Sequence, residues 1–250
     1  MESSFRIAAC SYEGSLFGWV CDKDEEQSTE DQSAYSTTMN WGFNCCVGAL
    51  KAIAVSKSRR YVVCAGADER IRIFDTVLNK SIGELSNHTG TITCLQFVND
   101  THLISGGEDN ALCIWRVHDW TCLHILGGHK EPVNDVAVHP TGKIALSVGR
   151  DNTLRLWNLI EGRCAFTRRL RGSADKVCWN EDGTSYALVV NTTVQVYDAG
   201  SNDLLCEMKH KGRVNKAIFI TVDEHSSSYV ASISDDKKLT IFTEEGEEVL

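Results

Sequence analysis

The sequence has little proline and lacks long hydrophobic runs. Only two of its 250 residues are proline, while 42% are hydrophobic, so most of the chain can support an ordered core. No stretch of eighteen apolar residues occurs, which excludes a transmembrane helix. The N-terminal segment Met1–Arg6 has an early acid and does not resemble a secretory signal. We therefore expect residues 1–250 to form a single domain with no membrane partner.

The cysteines lack the spacing of a metal site. There are 11 of them, an odd number, and none forms a CxxC pair. Buried free thiols behave as small hydrophobic side chains, so we expect reduced, structural cysteines and no bound metal. A glycine-rich phosphate loop is also missing, because Gly106-Gly107 precedes Glu108 without a following helix pattern. No cofactor is predicted.

The net charge of −9 is concentrated in two segments. Residues 22–31 hold six acids against one lysine, and residues 244–248 hold four more, while the rest of the chain is formally neutral. Residues 22–46 are polar, acidic and rich in Ser, Thr and Gln, with too little apolar surface to offset the entropy of ordering. We predict a polar acidic loop insertion over 22–46.

The chain does contain a repeated marker, in which a turn residue is followed six positions later by an aromatic that ends a short apolar strand. The six pairs are Glu13/Trp19, Asp68/Phe74, Asp109/Trp115, Asp151/Trp157, Asn191/Tyr197 and Asp236/Phe242. From Asp68 onward, successive turn residues are separated by 40 to 45 positions. A fixed offset on this period is typical of an all-β WD40 β-propeller, in which each repeat forms one four-stranded blade.

The blade boundaries follow from the period and the turn residues. The regular blades are predicted at 47–88, 89–129, 130–172, 173–211 and 212–243. Turns between the first two strands are predicted at His139–Gly142 and Asn180–Gly183. The sequence thus predicts about five full blades plus two partial ends. Because seven blades is the commonest closed arrangement, we expect an incomplete or shortened chain.

Two sets of residues look like nucleophile triads with an added tryptophan. They are His88, Ser105, Asp109 and Trp115, and His129, Ser147, Asp151 and Trp157. An enzyme does not need two copies at blade period, whereas a buried hydrogen-bond chain from Trp through Ser and His to Asp recurs in WD40 blades. We predict structural sets and no catalytic residues. Weaker copies of the small residue four positions before the turn residue are Ala9, Cys64, Ala187 and Ser232.

Several basic residues fall at turns and loops that a propeller places on one rim. They are Lys130, Arg150, Arg171, Lys211 and Arg213. Such a rim could meet RNA phosphates or an acidic protein segment, although a surface of mixed charge is the simpler interpretation.

The stretches GTITCLQF, HLISGGEDNALCIW and HPTGKIALSVGRDNTLRLWNLIEGRCAF closely resemble the PAK-interacting WD40 family, in which PAK is a protein kinase activated by Rho-type GTPases. The opening CSYEGSLFGW is also similar to that family's N-terminus. The resemblance is strong over about residues 88–180 and weaker beyond 190. It implies a propeller that is seven-bladed in the complete family.

The resemblance also implies a function. It implies a non-enzymatic scaffold in the nucleus and nucleolus that assists biogenesis of the large (60S) ribosomal subunit and processing of pre-rRNA. Its expected partners are ribosome-assembly proteins and pre-rRNA. The alternative is a negative regulator that binds the regulatory region of PAK. A third hypothesis, a hydrolase using one of the Ser-His-Asp sets, is disfavoured by their repetition.

Overall fold

The computed structural model describes residues 4–29, 32–46, 48–222, 227–243 and 246–249, and these form six antiparallel β-sheets. Each sheet is one blade, numbered here in chain order. Strands that follow one another in the chain are hydrogen-bonded neighbours within each blade. The prediction of an all-β WD40 propeller is confirmed. Among the described residues, no helix has the length and apolarity needed to cross a bilayer.

The first three blades contain eleven of the strands. Blade 1 consists of β1 (Ser4–Cys10), β2 (Ser15–Thr29) and β3 (Gln32–Asn44). Blade 2 consists of β4 (Leu50–Val55), β5 (Tyr61–Gly66), β6 (Ile71–Asp75) and β7 (Lys80–Leu85). Blade 3 consists of β8 (Ile92–Val98), β9 (His102–Gly107), β10 (Leu112–Arg116) and β11 (Thr121–Leu126).

The remaining three blades contain the other eleven. Blade 4 consists of β12 (Val133–Val138), β13 (Ile144–Gly149), β14 (Thr153–Asn158) and β15 (Arg163–Arg169). Blade 5 consists of β16 (Lys176–Trp179), β17 (Ser185–Val190), β18 (Thr193–Asp198) and β19 (Leu204–Lys209). Blade 6 consists of β20 (Val214–Val222), β21 (Ser227–Ser234) and β22 (Leu239–Thr243).

The hydrophobic core lies between neighbouring blades. From blade 2 to blade 6, the first strands lie innermost, and each contacts the first strand of the neighbouring blade. The second strand is buried on both faces, as in β9, where five of six residues are buried. Between blades 3 and 4, for example, Ile104 and Leu112 pack in one cluster with Val133 and Trp157. Burial on both faces explains why these strands read as nearly continuous apolar runs.

Because strand direction alternates within each blade, the turns and connections lie on two opposite faces of the propeller. The upper face carries the turns between second and third strands and the connections between blades. The lower face carries the turns between first and second strands and between third and fourth strands. Two lower turns are as predicted: Gly142 has φ +70° and Gly183 has φ +74°, and each closes its turn through its N–H.

Blade 1 has the last three strands of a blade rather than the first three. In β1, Ala9 pairs with Phe17, two residues before Trp19, just as Ser105 pairs with Cys113, two residues before Trp115. Strand β1 is therefore the counterpart of β9. The sequence predicted about five full blades plus two partial ends; the described residues form four four-stranded blades between two three-stranded ones.

Residues 22–46 differ from the loop expected there. Strands β2 and β3 continue through most of this segment as one long hairpin, in which Lys23 pairs with Tyr35 and Thr29 with Gln32. Tyrosine and threonine favour extended backbone, and the hairpin satisfies backbone hydrogen bonds that a loop would leave to water. Glu30 and Asp31, like Glu244 and Glu245 of the acidic tail, lie outside the described residues.

Candidate functional site

Blade 3 brings its four predicted side chains into one hydrogen-bond chain. The Trp115 indole N–H donates to Ser105 Oγ at 2.9 Å, and His88 Nε2 lies 2.7 Å from the same oxygen. On the other side of the ring, His88 Nδ1 lies 2.8 Å from Asp109 Oδ2. Asp109 also accepts backbone N–H groups from Thr89 and Ala111, which ties the upper turn to the connection that precedes the blade.

Blade 4 repeats the arrangement. Ser147 Oγ accepts the Trp157 indole N–H at 2.7 Å and lies 2.7 Å from His129 Nε2. His129 Nδ1 lies 3.1 Å from both carboxylate oxygens of Asp151. Asp151 also accepts the backbone N–H of Lys130 at 3.0 Å and the Thr153 hydroxyl at 2.7 Å.

The order Ser, His, Asp is that of a nucleophile triad, but both serines are inaccessible. Ser105 and Ser147 have 0% exposure, and each histidine is 6% exposed. A neutral histidine that donates from Nδ1 to aspartate and accepts the serine O–H at Nε2 gives each side chain of the four-residue set a hydrogen-bond partner. Because the nucleophile's oxygen already accepts from tryptophan and no substrate can reach it, this geometry favours a structural role.

Burial and hydrogen bonding set the ionisation of the blade 4 pair. Burial is the main effect on His129 and lowers its pKa, although Asp151 opposes this. Burial acts to raise the pKa of Asp151, but hydrogen bonds from Lys130 N–H, Thr153 and His129 outweigh it, so that pKa is lowered. A neutral histidine beside a carboxylate is therefore the stable state near neutral pH.

We expect acid to destabilise the propeller through His129. Its pKa is lower in the folded chain than in the unfolded one, so the unfolded chain binds more protons as pH falls below about 6.5, and unfolding becomes easier. Urea unfolding at pH 7.5, 6.5 and 5.5 measures this, and His129→Asn should show a shallower fall in stability than the unchanged chain. Substitution of the exposed His118 is the control; an equal slope for all three proteins would contradict the prediction.

Blade 6 contains a histidine that the sequence analysis missed. His210 Nε2 lies 3.0 Å from Ser232 Oγ, and its ring packs edge-on against Phe242 with centroids 5.7 Å apart. Phenylalanine has no side-chain N–H, so the hydrogen-bond chain of blade 6 lacks the tryptophan link that the hydrogen-bond chains of blades 3 and 4 have. The sequence did contain a signal for this histidine. His210 stands four residues before the buried Val214, and His129 stands four residues before the buried Val133.

Blade 5 departs from the expected register. Asn191 and Thr192 form a two-residue turn between β17 and β18, with φ +53° at Asn191. This shorter turn shifts the pairing by one residue, so Leu188, opposite Gln195, takes the position that Ser147 has opposite Arg155. Ala187, which we expected there, instead packs in the core shared with blade 6.

The five predicted rim residues are all exposed on the upper face, at the connections before blades 4, 5 and 6 and at one turn. Two of them take part in ion pairs: Arg150 lies 3.9 Å from Glu108, and Arg213 lies 3.0 Å from Asp175. These two line the central cavity of the upper face, whereas Lys130, Arg171 and Lys211 lie on the surrounding connections.

The central cavity has a volume of about 950 Å³ and a mixed lining. Four basic and two acidic side chains line it: Lys51, Arg150, Lys176, Arg213, Glu108 and Asp175. The basic excess in the lining is therefore moderate, and the exposed side chains of Lys130, Arg171 and Lys211 lie on the surrounding connections between blades.

Repeated β-bulges, which sequence reasoning did not reveal, direct polar side chains between blades. The pairing of β8 with β9 skips Thr93, and that of β12 with β13 skips Asn134. The Thr93 hydroxyl then donates to the Val133 carbonyl at 2.6 Å, and Asn134 Nδ2 donates to the Ala174 carbonyl at 2.8 Å. Each bulged residue thus links its blade to the next one.

The same bulge recurs in blades 2 and 6 with different partners. In blade 2 it presents Lys51, whose Nζ lies 3.6 Å from Glu108 of blade 3. In blade 6 it presents Asn215, whose amide donates to Asp235 of the same blade at 2.8 Å. Much of the polar lining of the cavity therefore holds blades together.

Arg168 also serves structure rather than binding. Its guanidinium lies 4.7 Å from the centre of the Tyr197 ring and donates to the Tyr186 hydroxyl and the Asn202 carbonyl at 3.3 and 3.1 Å. It joins the outer strand of blade 4 to blade 5, a contact that the clustered arginines of the sequence did not reveal.

Comparison with known proteins agrees with the fold. The family described as "WD domain, G-beta repeat" matches residues 79–116 and 120–158, which lie in blades 2 to 4. The chain is 37% identical over 240 residues to p21-activated protein kinase-interacting protein 1-like of Danio rerio, covering 94% of the chain and 60% of that protein. It is 34% identical to the human p21-activated protein kinase-interacting protein 1, covering 94% and 58%.

A fungal protein is similar over a comparable range. Protein MAK11 of Saccharomyces cerevisiae is 33% identical over 227 residues, covering 83% of the chain and 54% of that protein. The chain thus spans somewhat more than half the length of the relatives it matches.

Proposed function

Because this chain is a WD40-repeat β-propeller with homologues named p21-activated protein kinase-interacting protein 1, we propose that it is a non-enzymatic scaffold. It assists biogenesis of the large ribosomal subunit and processing of pre-rRNA in the nucleus and nucleolus. The similarity to Protein MAK11 over 83% of the chain supports this assignment. Its partners are ribosome-assembly proteins and pre-rRNA.

The observation that carries the proposal is the arrangement of charge on the upper face. The Ser and His side chains of the two four-residue sets are buried and hydrogen-bonded to each other, so we expect the surfaces of the propeller to bind partners. On the upper face, Lys130, Arg171 and Lys211 are exposed on successive connections between blades, next to Arg150 and Arg213 at the cavity. A rigid arc of this kind binds phosphates or carboxylates mainly through charge, with an affinity that falls as salt rises.

Depletion followed by rescue tests the proposal. We expect cells depleted of the protein to accumulate large-subunit precursors and to lose free large subunits in gradient sedimentation, and the unchanged chain to reverse this. The variant Lys130→Glu/Arg171→Glu/Lys211→Glu should fail to rescue, because reversal of three charges weakens phosphate binding by at least about tenfold.

A matched control uses exposed basic residues of the lower face. Lys80 and Arg163 begin the outer strands β7 and β15, and Lys80→Glu/Arg163→Glu changes surface charge without touching the arc. This control should rescue as well as the unchanged chain. An unchanged subunit ratio after depletion, or equal rescue by both variants, would refute the proposed role of the arc.

The alternative function is binding of the regulatory region of a p21-activated kinase, with restraint of its activation. It is favoured by the names of the animal relatives, which describe them as kinase-interacting. A purified regulatory segment should then be retained by the immobilised chain and released by the three arc substitutions. Retention together with normal ribosome assembly after depletion would favour this function over the scaffold.

A further inference from the structure

Two carboxylates of the chain lie beside cations of the upper cavity. Glu108 Oε1 lies 3.6 Å from Lys51 Nζ and 3.9 Å from a guanidinium nitrogen of Arg150. Asp175 Oδ1 lies 3.0 Å from a guanidinium nitrogen of Arg213. All five residues line the same cavity, of about 950 Å³. Each carboxylate therefore occupies a place that the anionic group of a ligand could take.

Both arginines present mobile heads on fixed backbone. Their side chains are more than half exposed, at 58% for Arg150 and 59% for Arg213, so water screens their ion pairs and each pair contributes little to stability. The Arg150 N–H donates to the Pro132 carbonyl at 2.9 Å, and the Arg213 carbonyl accepts the Asp235 N–H at 2.8 Å. The guanidinium groups can thus exchange a carboxylate for a phosphate, which accepts two hydrogen bonds from one guanidinium, without a change in the fold.

An aromatic ring stands at the same cavity. Tyr12, on the turn between β1 and β2, lines the cavity with a side chain that is 79% exposed. The turn is tied to blade 2, because the Leu50 N–H donates to the Ser11 carbonyl at 3.3 Å. Exposed aromatic rings beside basic side chains bind single-stranded nucleic acids, since bases stack on the ring while phosphates meet the cations.

We propose that the upper cavity binds single-stranded RNA, whose phosphates displace the chain's own carboxylates. One base stacks on Tyr12, and adjoining phosphates bind Arg150 and Arg213 in place of Glu108 and Asp175. Neighbouring nucleotides continue onto the basic arc of the connections between blades. This inference rests on the proposed function, because it names the chemistry by which the same face recognises pre-rRNA.

Single-stranded RNA fits the cavity better than two other anionic partners. In a duplex, the bases are stacked on one another, so none reaches Tyr12 unless it leaves the helix. An acidic peptide would exchange one carboxylate for another on the same cations and would leave the tyrosine ring without a base to stack on. The cavity should therefore discriminate against both.

Binding of labelled oligomers to the purified full chain, followed by fluorescence anisotropy, tests this discrimination. The probes are a twelve-nucleotide single-stranded RNA of mixed sequence, the same RNA annealed to its complement, and a twelve-residue polyglutamate. We expect the single strand to bind about tenfold more tightly than either competitor, the effect of one stacked base. Equal affinity for the duplex, or tighter binding of polyglutamate, would overturn the proposal.

The salt dependence identifies the phosphate contacts. Between about 50 and 200 mM salt, Arg150→Gln/Arg213→Gln should make the slope of log K against log salt shallower by about 1.4, since each phosphate contact of a single strand contributes about 0.7. The matched control, Lys80→Gln/Arg163→Gln on the lower face, should retain the slope of the unchanged chain. An unchanged slope in the cavity variant would show that these arginines bind no phosphate.

Substitutions of Tyr12 isolate the stacking contact. Tyr12→Ala should weaken binding of the single strand by about tenfold and leave the salt slope unchanged, because the ring carries no charge. Tyr12→Phe keeps an aromatic ring and should bind as the unchanged chain does. Equal affinities of the alanine and phenylalanine variants would contradict stacking on this residue.

Displacement of the internal carboxylates predicts a gain of affinity. Glu108→Gln removes a charge that competes with phosphate and should tighten RNA binding by about threefold, the effect of one nearby like charge. Glu131, which is exposed on the connection before blade 4 and outside the cavity lining, supplies the control Glu131→Gln. A similar gain in both variants would show a general effect of charge and would overturn displacement.

Failure of this inference and failure of the proposed function give different results. If the Arg150/Arg213 and Tyr12 variants bind RNA as the unchanged chain does, the inference is overturned, while a loss of large subunits on depletion still supports the scaffold. If the variants behave as expected but depletion leaves the subunit ratio unchanged, the cavity binds RNA and the proposed role in ribosome assembly is refuted.

Discussion

Replacing Asp151 with alanine should destabilise the chain by about 3 kcal/mol or more, since a buried donor left without an acceptor costs about 1–3 kcal/mol. Asp151 accepts hydrogen bonds from His129, the Lys130 backbone and Thr153, and its side chain is only 5% exposed. Alanine leaves the buried His129 Nδ1–H with the Thr153 hydroxyl, 3.2 Å away, in place of the carboxylate, and it frees the turn from the preceding connection. Urea unfolding at pH 7.5 measures the loss, which should appear as a lower midpoint.

Two controls identify the source of that loss. Asp151→Asn keeps one acceptor oxygen in place and should cost clearly less than alanine. Asp203→Ala removes an exposed carboxylate at a lower-face turn and should stay within about 0.5 kcal/mol of the unchanged chain. A cost for Asp151→Ala no larger than that of Asp203→Ala would show that the buried hydrogen-bond chain contributes little to stability.

The blade order could be predicted because its signals are local. A turn residue and the aromatic six positions later belong to one hairpin, so spacing alone relates Asp109 to Trp115 and Asp151 to Trp157. Turn geometry at Gly142 and Gly183 was also readable, because glycine accepts the positive φ that these turns require. The propeller then follows from repetition, since each repeat must bury its faces against neighbours.

The predictions that the structure corrects concern which residues pair across neighbouring strands. Composition indicated a loop over 22–46, but Tyr35 and Thr37 pair across a long hairpin with Lys23 and Cys21. The six-residue offset between Asn191 and Tyr197 gave no sign of the two-residue turn at Asn191. Because of that turn, Leu188 and not Ala187 pairs with Gln195, two residues before Tyr197. The register in which two strands pair is set by turn geometry and burial together. The spacing between a turn residue and its aromatic gives only their separation along the sequence.

The candidate site was predicted to a similar extent. Spacing grouped the two four-residue sets, and the structure brings the side chains of each set within hydrogen-bonding distance. His210 was missed because its blade ends in Phe242, so no tryptophan marked it. The links made by Thr93 and Asn134 were not predictable, since a bulge leaves no mark in composition and their acceptors are backbone carbonyls about forty residues away.

Replacing Ser147 with alanine should cost about 1–3 kcal/mol, because its oxygen is shared by two buried groups. The Trp157 indole N–H would lose its acceptor, and His129 Nε2 would lose the partner now 2.7 Å away. Ser232→Ala is the matched control: Ser232 is also buried, but it meets only His210 and the Thr240 carbonyl, and Phe242 has no N–H to lose.

The control should therefore be the milder substitution in urea unfolding, and the difference should reveal what tryptophan contributes. In a Trp157→Phe background the indole N–H is already absent, so the cost of Ser147→Ala should fall toward that of Ser232→Ala. Equal costs for the two serines in the unchanged chain would contradict a tryptophan-linked hydrogen-bond chain. A catalytic serine would give a different result altogether, with hydrolase activity lost and stability kept. The burial of Ser147 at 0% exposure favours the opposite outcome, in which stability falls and no reaction is affected.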